Sequence, residues 1–265
     1  MPESAEVKLT TEYLDETLEN KIITRWEFLP GNFEVEDPKG YELFSENLPL
    51  MVESVKCKGK FIYFTFYNDD GYFYALHSMR LTGRWQENED EYCRWYIETD
   101  EKDFVWFRDP RRFATIEFTN DEKVLQAALD KLGPDILTTD FKLETFKSLV
   151  EKHGKKNITA FLMNQSIMSG IGNYIKAEAL YYARISPKRK TGDLNDQEIE
   201  RLCEGIKLIP RIAYNKKGLS IKDYADAKGI NGEFEGELKI YGKPHAKRTK
   251  TPDQRITYWD PKRQV

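Results

Sequence analysis

A chain of 265 residues has the length of two average domains or one large one, and 40% apolar residues are enough to form a core. The charged (32%) and aromatic (13%) shares exclude a collagen-like chain and an acidic disordered one. The densest apolar stretch, residues 61–67, is far shorter than the roughly 18 residues of a membrane span, and no signal-peptide pattern begins the chain. We therefore expect an intracellular protein without membrane association.

The charge of the chain is distributed unevenly. Its formal net charge is -4, yet the first 50 residues carry 12 acidic and 4 basic side chains, whereas residues 239–265 carry 8 basic and 2 acidic ones. A polyanion responds to the local field within a Debye length of roughly 8 to 10 Å, so the net charge does not exclude a nucleic-acid partner. The alternative interpretation of the basic end is a solvated tail.

The three cysteines and three histidines are scattered along the sequence. Cys57, Cys93 and Cys203 form no CxxC pair, and the histidines have no metal-ligand spacing. The sequence therefore predicts neither a disulfide framework nor a metal site.

The apolar pattern predicts four blocks in chain order. An amphipathic helix is expected within residues 2–20, and short aromatic-rich strands with a turn at Asp70-Gly71 follow from 51 to 118, which favours a sandwich or a barrel. Helices are expected next, the last with a kink at Pro210. Two short β segments are expected at the basic end. The predicted helices after residue 119 cover residues 121–132, 140–153, 157–164, 173–183 and 195–209. The two β segments cover residues 238–241 and 255–259.

Residues 170–174, Gly-Ile-Gly-Asn-Tyr, lie between two predicted short helices. Glycines on both sides of one apolar residue allow a tight turn whose N–H groups, with a helix N-terminus, can face an anion. Asn173 can cap the helix and donate to a phosphate oxygen. An ordinary corner between two helices is the alternative.

Residues 109–113, Asp-Pro-Arg-Arg-Phe, lie between two predicted strands. A turn that presents guanidinium groups beside an aromatic ring is suited to enter a base stack and replace an extruded base. A charged β-turn with one inward-facing Phe is the alternative.

The chain begins Met1-Pro2-Glu3. Removal of the initiator Met leaves a secondary amine, and an α-amino pKa of about 7.7 to 8.0 keeps part of it unprotonated at neutral pH. Such an amine is a nucleophile towards a carbonyl-like carbon, and Glu3 beside it can transfer protons. Many proteins begin Met-Pro, so this feature alone is weak.

Taken in order, these segments resemble the formamidopyrimidine-DNA glycosylase/endonuclease VIII (Fpg/Nei) family of base-excision repair enzymes. The resemblance covers nearly the whole chain, and each matching segment alone is modest. The five matching segments are residues 1–7, 59–61, 109–113, 161–180 and 240–261.

The resemblance implies an α+β fold. An N-terminal β-sandwich with flanking helices (1–119) is followed by a helix-two-turn-helix domain (134–232) and a β-hairpin finger (233–265). Zinc-finger members carry four Cys in the finger, but here Asp260 and Arg263 occupy the positions of the last pair. A zincless finger is therefore expected, without metal or other cofactor.

The resemblance also implies a bifunctional DNA glycosylase and apurinic/apyrimidinic (AP) lyase that acts through a Schiff base on Pro2. Glu3 then protonates the opening sugar, and Lys60 holds the phosphodiester near the lesion. DNA binding is implied for Glu6, Gly172, Asn173 and Arg255, and filling of the void left by a flipped nucleotide for Leu81, Arg111 and Phe113.

The implied partner is damaged DNA, double- or single-stranded, bound by a monomer. Thr159 stands where the 8-oxoguanine-directed branch has Lys, which favours a Nei-like range of oxidised pyrimidines and hydantoins. A non-catalytic protein that binds damaged DNA on the same scaffold is the main alternative. An RNA-binding protein that uses the basic hairpin is a third, although no aromatic RNA-binding signature is present.

Overall fold

The structure is a computed structural model that describes residues 2–29, 33, 36–219, 229 and 232–265. The predicted first helix is present as α1 (Ser4–Leu18). Leu14 and Leu18 recur on one face of α1 and are buried in the core of the sheet that follows. Burial of this face holds α1 against the sheet.

Eight strands form one antiparallel sheet in the first half of the chain. They are rich in β-branched and aromatic residues, which favour the pleated conformation. The strands in chain order are β1 (Ile22–Phe28), β2 (Leu50–Lys58), β3 (Phe61–Asn68), β4 (Gly71–Ser78), β5 (Arg84–Gln86), β6 (Cys93–Thr99), β7 (Phe104–Arg108) and β8 (Thr115–Thr119). Their hydrogen-bonded order is β5-β7-β6-β1-β2-β3-β4-β8. The turn predicted at Asp70-Gly71 is present one residue earlier, at 69–70, and connects β3 and β4, because Gly71 already pairs with Asn68.

The sheet folds over on itself. Phe64 of β3 and Trp85 of β5 are far apart in the strand order, yet their ring centroids are 5.9 Å apart. His77 of β4 and Phe107 of β7 are likewise 4.8 Å apart. Because the two halves of the sheet pack face to face, the architecture is the predicted β-sandwich.

Two elements of the sandwich were not predicted. Strand β1 carries charged residues among its apolar ones, and α2 (Tyr41–Glu46) is too short to show a helical period. Phe44 is the buried residue of α2, and its ring lies 4.5 Å from that of Phe118. Tertiary packing therefore stabilises α2, since a helix of this length is unstable alone.

The second half of the chain is helical and has its own core. Predicted helices are present with ends shifted by up to three residues, except that the last continues past Pro210. Pro210 is itself buried, and packing of its face offsets the lost backbone hydrogen bond. The helices are α3 (Glu122–Asp130), α4 (Leu143–Lys152), α5 (Ile158–Met163), α6 (Asn173–Ala183) and α7 (Asp196–Asn215), with 3-10 turns at Thr191–Asp193 and Phe234–Glu237.

The basic end forms a hairpin of β9 (Lys247–Lys250) and β10 (Ile256–Trp259). The strand predicted for residues 238–241 is wrong. The backbone N–H groups of three of these residues donate to the carboxylate of Glu178, so they are not available to a partner strand. The α+β fold class is confirmed, whereas the domain limits 1–119, 134–232 and 233–265 stay predictions. Within the described residues, no helix has the length and apolar character that crossing a membrane requires.

Trp26 provides a test of the sandwich core. Its side chain is fully buried, with ring centroids 5.4 Å from Phe64 and 5.2 Å from Phe118. We expect Trp26→Ala to lower the free energy of unfolding by about 3 to 5 kcal/mol, because it leaves a large cavity. Urea unfolding measures this, with half-exposed Tyr72→Ala as the control. Equal losses in both variants would contradict the core assignment.

Candidate active site

A cleft of about 720 Å³ lies between the sandwich and the helical half. Both halves and the hairpin contribute to its walls, and cationic side chains occur on it together with apolar ones. Residues that line it include Pro2, Lys60, Arg80, Leu81, Phe113, Gln165 and Arg255. The structure therefore brings together two of the three predicted catalytic residues, Pro2 and Lys60, with two of the predicted void-filling residues.

Glu3, the third predicted catalytic residue, lies at the N-terminus of α6. Its side chain is buried, and its two carboxylate oxygens accept hydrogen bonds from the backbone N–H groups of Tyr174 (2.8 Å) and Ile175 (3.1 Å). These are amides that a helix start leaves unpaired, and the helix dipole favours a negative charge there. The anion at this helix end in the structure is thus the protein's own carboxylate.

Gly172 is buried beside Glu3 and permits this approach. A Cβ atom on Gly172 would lie 2.2 Å from Glu3 Cδ, which no real contact allows. Gly170 has a φ of +107°, and a Cβ there would lie 2.9 Å from Ser4 Cβ. The glycines of the turn are therefore required by the close packing of the chain start against it.

Burial raises the pKa of the Glu3 carboxyl from 4.5 to about 7. Lys60 and the two backbone N–H donors oppose this rise, while the neighbouring Glu6 adds to it. Desolvation destabilises the charged carboxylate of Glu3 by more than Lys60 and the N–H donors stabilise it. Glu3 is thus close to half protonated at neutral pH.

Glu6 supports the chain start from inside the protein. It is buried, and its carboxylate accepts hydrogen bonds from the backbone N–H groups of Glu3 (2.9 Å) and Leu219 (2.9 Å) and from the Tyr174 hydroxyl (3.2 Å). Burial raises the pKa of Glu6. This position favours a positioning role over the direct DNA contact predicted for Glu6.

Lys60 precedes β3 and reaches across to the helical half. Its ammonium group donates to the Ile171 carbonyl oxygen (2.7 Å). Burial lowers the pKa of Lys60 from 10.5 to about 8, an effect that Glu3 opposes and that the cations of Arg255 and Arg80 increase. Lys60 therefore lies in the joint electrostatic field of Glu3 and two arginines.

Gln165 and Arg80 are site residues that the sequence reading missed. Gln165 Nε2 donates to the Ile171 carbonyl oxygen (2.9 Å), and Gln165 Oε1 accepts from the Gly170 N–H (3.1 Å). The side chain of Gln165 thus orders the turn to which Lys60 binds. Its position just before the glycine turn was a usable signal, whereas only the fold brings Arg80 beside Lys60.

Asn173 and Arg255 lie where α6 meets the hairpin. Asn173 Nδ2 donates to the backbone carbonyl oxygen of Ile256 (3.1 Å). Arg255, the residue before Ile256, is exposed and lines the cleft. Asn173 therefore contacts the hairpin in this structure, and the guanidinium of Arg255 is accessible to an anion.

The predicted void-filling residues lie on two loops of the sandwich. Phe113 is 48% exposed, and the Arg111 guanidinium lies 4.9 Å from the centroid of its ring. Buried Asp109 accepts hydrogen bonds from the Phe113 N–H (2.7 Å) and from the hydroxyl of Thr82, the neighbour of Leu81 (2.6 Å). One carboxylate therefore fixes both loops.

No group of three His, Cys, Asp or Glu side chains placed to hold a metal ion occurs among the residues that the structure describes. All three cysteines are free thiols, and burial raises the pKa of Cys57 and of Cys93 to about 11. The sulfur atoms of these two residues are therefore weak nucleophiles at neutral pH.

The raised pKa of Glu3 predicts a pH-dependent stability. The folded protein keeps this proton between pH 4.5 and 7, where the unfolded chain loses it. This group alone should therefore stabilise the fold below pH 4.5 by about 3 kcal/mol relative to pH above 7, a contribution lost as pH rises through 7. In Glu3→Gln this increment should be absent from urea unfolding curves recorded across the range. Exposed Glu53→Gln is the control, and curves of wild type and Glu3→Gln that run parallel would contradict the assignment.

Comparisons with known proteins show which family the chain is similar to. Family models of the formamidopyrimidine-DNA glycosylase N-terminal domain and H2TH domain match residues 1–116 and 132–224. A formamidopyrimidine-DNA glycosylase of Desulfitobacterium hafniense is 33% identical over 257 residues, which are 92% of this chain and 89% of that protein. One of Herpetosiphon aurantiacus is 30% identical over 264 residues, 97% and 94% of the two chains.

Solved structures share the fold. Lactococcus lactis Fpg (MutM) in complex with a DNA that contains N7-benzyl-Fapy-dG matches with a TM-score of 0.85 at 24% identity, over 99% of each chain. The MutM (Fpg) protein of Thermus thermophilus matches with a TM-score of 0.84 at 22% identity, over 99% of this chain and 98% of that one. On the two domain matches and on relatives of this identity and coverage, the chain belongs to the formamidopyrimidine-DNA glycosylase family.

Proposed function

We propose that the protein is a bifunctional DNA glycosylase and AP lyase that removes oxidised bases. The observation that carries this proposal is the convergence of Pro2, Lys60 and Arg255 on one cleft, with buried Glu3 beside Lys60. A nucleophile, a proton-transfer group and cations for phosphate are the groups that base excision with strand cleavage needs.

Pro2 supplies the nucleophile once Met1 is removed. Its secondary amine attacks C1′ of the damaged nucleotide, and the bond between C1′ and the base breaks. The base leaves with the electron pair of that bond and takes up the proton that the amine releases. The bond between C1′ and the ring oxygen then opens to leave an iminium, the Schiff base, between the proline nitrogen and C1′. The position of Pro2 on the wall of the cleft supports this step, because a nucleotide bound in the cleft lies beside the proline.

Glu3 supplies the proton for the sugar ring oxygen as that bond opens. A carboxyl with a pKa of about 7 is protonated in a large fraction of molecules at neutral pH, whereas an ordinary glutamate is not. A pKa near the working pH is also the value at which proton transfer is most efficient.

Lys60 and Arg255 bind the phosphates that flank the damaged nucleotide. At pH 7 most Lys60 side chains still carry a charge, since the pKa is about 8. Phosphate binding stabilises the leaving groups of β- and then δ-elimination, which nick the strand on both sides of the sugar. Leu81, Arg111 and Phe113 fill the void in the duplex, and the protein acts as a monomer.

The favoured substrates are oxidised pyrimidines and hydantoins. Thr159 supports this choice, because it is fully buried and its side chain is bound to Asn157 (2.6 Å), so no cation extends into the cleft from this position. The relatives are named for formamidopyrimidine. A formamidopyrimidine substrate is therefore the competing outcome.

The finger works without zinc. Asp260 and Arg263 stand at two positions where zinc-binding members carry Cys. Asp260 instead accepts a hydrogen bond from the backbone N–H of Lys262 (2.9 Å), and the Arg263 guanidinium lies 4.3 Å from the centroid of the Tyr181 ring. These contacts support a hairpin whose structure does not depend on a metal.

Borohydride trapping tests the mechanism. With an abasic-site oligonucleotide, wild-type protein should form a covalent adduct, because borohydride reduces the iminium. An N-terminal extension that keeps the proline nitrogen in a peptide bond should abolish trapping. Lys60→Met should slow nicking by about 10²-fold or more, since it removes the charge near the phosphodiester.

Exposed Lys56→Met is the matched control for Lys60 and should nick like wild type. Trapping that survives the N-terminal extension would exclude the terminal amine as nucleophile. Binding of the oligonucleotide without trapping or nicking would favour the non-catalytic alternative.

An excision panel tests substrate preference. Duplexes with thymine glycol, a hydantoin, formamidopyrimidine or 8-oxoguanine are compared under single-turnover conditions. We expect thymine glycol and the hydantoin to be excised at least about tenfold faster than 8-oxoguanine, a difference of about 1.4 kcal/mol in activation free energy. Fastest excision of formamidopyrimidine or 8-oxoguanine would overturn the preference and leave the mechanism intact.

A further inference from the structure

A buried ion pair joins α6 to the hairpin. Lys176 Nζ lies 2.6 Å from Asp253 Oδ2, and only 0% and 3% of the two side-chain surfaces are exposed. Asp253 belongs to the loop that connects β9 and β10. The pair is therefore closed to solvent, and Lys176 cannot contact DNA directly.

The loop around Asp253 is held by further polar contacts. The Thr251 hydroxyl lies 2.5 Å from Asp253 Oδ1 and 2.7 Å from the Thr257 hydroxyl. The Thr251 N–H donates to the Arg255 carbonyl oxygen (3.0 Å). Asp253 thus connects Lys176 of α6 to the backbone that carries Arg255.

Burying two charges costs several kcal/mol per ion, and such a pair often adds little net stability. A buried pair is therefore better explained by the geometry that it imposes. Surface lysines of the same chain, such as Lys147 paired with Glu200 at 3.4 Å, impose no such geometry because both partners are exposed.

Two contacts of α6 fix the loop on both sides of Arg255. Lys176 binds Asp253, two residues before Arg255, and Asn173 donates to the carbonyl oxygen of Ile256, the residue after it. A third contact, between Glu178 and the backbone N–H groups of residues 239–241, holds the start of the finger and not this loop. The direction of Arg255 is thus set from α6, the helix whose N-terminus Glu3 caps.

We propose that the Lys176–Asp253 ion pair positions Arg255 in the cleft, so that Lys176 is a positioning residue for DNA binding. The role of Lys176 in DNA binding rests on the function proposed above, whereas the effect of the ion pair on the hairpin does not. The pair joins the phosphate-binding side chain of the hairpin to the helix that orients Glu3.

Three variants test the proposal: Asp253→Asn, Lys176→Met and the double variant with both changes. Asp253→Asn removes the charge of the side chain and keeps its shape. The double variant leaves no unpaired buried charge and serves where Lys176→Met alone fails to fold. Exposed Lys123→Met is the control for loss of one positive charge. Hydrogen exchange of the free protein and the Kd for a duplex with a tetrahydrofuran abasic-site analogue are measured.

All three variants should exchange amides of residues 247–259 faster than wild type, with exchange in the sandwich unchanged. Their Kd should rise about tenfold, as should that of Arg255→Ala. Lys176→Met combined with Arg255→Ala should bind no more weakly than Arg255→Ala alone, because the lysine acts through the arginine. Lys123→Met should match wild type in exchange.

Unchanged exchange in the double variant would overturn the proposal whether or not the protein binds DNA. Faster exchange with an unchanged Kd, or fully additive effects of Lys176→Met and Arg255→Ala, would show that the pair only stabilises the hairpin and would overturn the positioning role. If wild-type protein failed to bind the duplex, the proposed function would fail, and exchange would still report on the hairpin.

Discussion

The carboxylate of Glu3 against the first amides of α6 is the interaction on which the site depends. It joins the chain start to the helical half, and it requires a glycine at position 172, where a Cβ would lie 2.2 Å from Glu3 Cδ. Lys60 reaches the same turn from the sandwich through the Ile171 carbonyl oxygen. The cleft therefore exists only when both halves of the chain are docked, with Pro2 held at their junction.

The same packing sets the electrostatics. Desolvation raises the pKa of Glu3 to about 7 and lowers that of Lys60 to about 8, although each group stabilises the charged form of the other. Two groups that would be fully charged on a surface thus have pKa values near neutrality. Helix α6 also connects this site to the hairpin, because Asn173 and Lys176 in its first turn bind hairpin residues.

Much of the fold was predictable, because in a long segment the spacing of the apolar residues indicates which face is buried. The helices after β8 and a turn between β3 and β4 follow from pattern alone, whereas the α+β class was implied by the family resemblance. Strand β1 and helix α2 were not predictable, because their residues fit the core only through partners distant in sequence. Residues 238–241 have a strand-like pattern, but the carboxylate of Glu178 binds their N–H groups, and no local rule reveals that contact.

The sequence by itself determined the residue types of the site, since Pro2, Glu3, the glycine turn and the Arg-Phe loop stand in a recognisable order. Only the tertiary structure decided their positions and surroundings. Glu6, which was predicted to bind DNA, is buried inside the protein, whereas Arg80, which was not predicted as a site residue, lies on the cleft. The physical reason is that a pKa, a hydrogen bond or an ion pair such as Lys176–Asp253 depends on distance and desolvation in space. The linear sequence encodes these only through the completed fold.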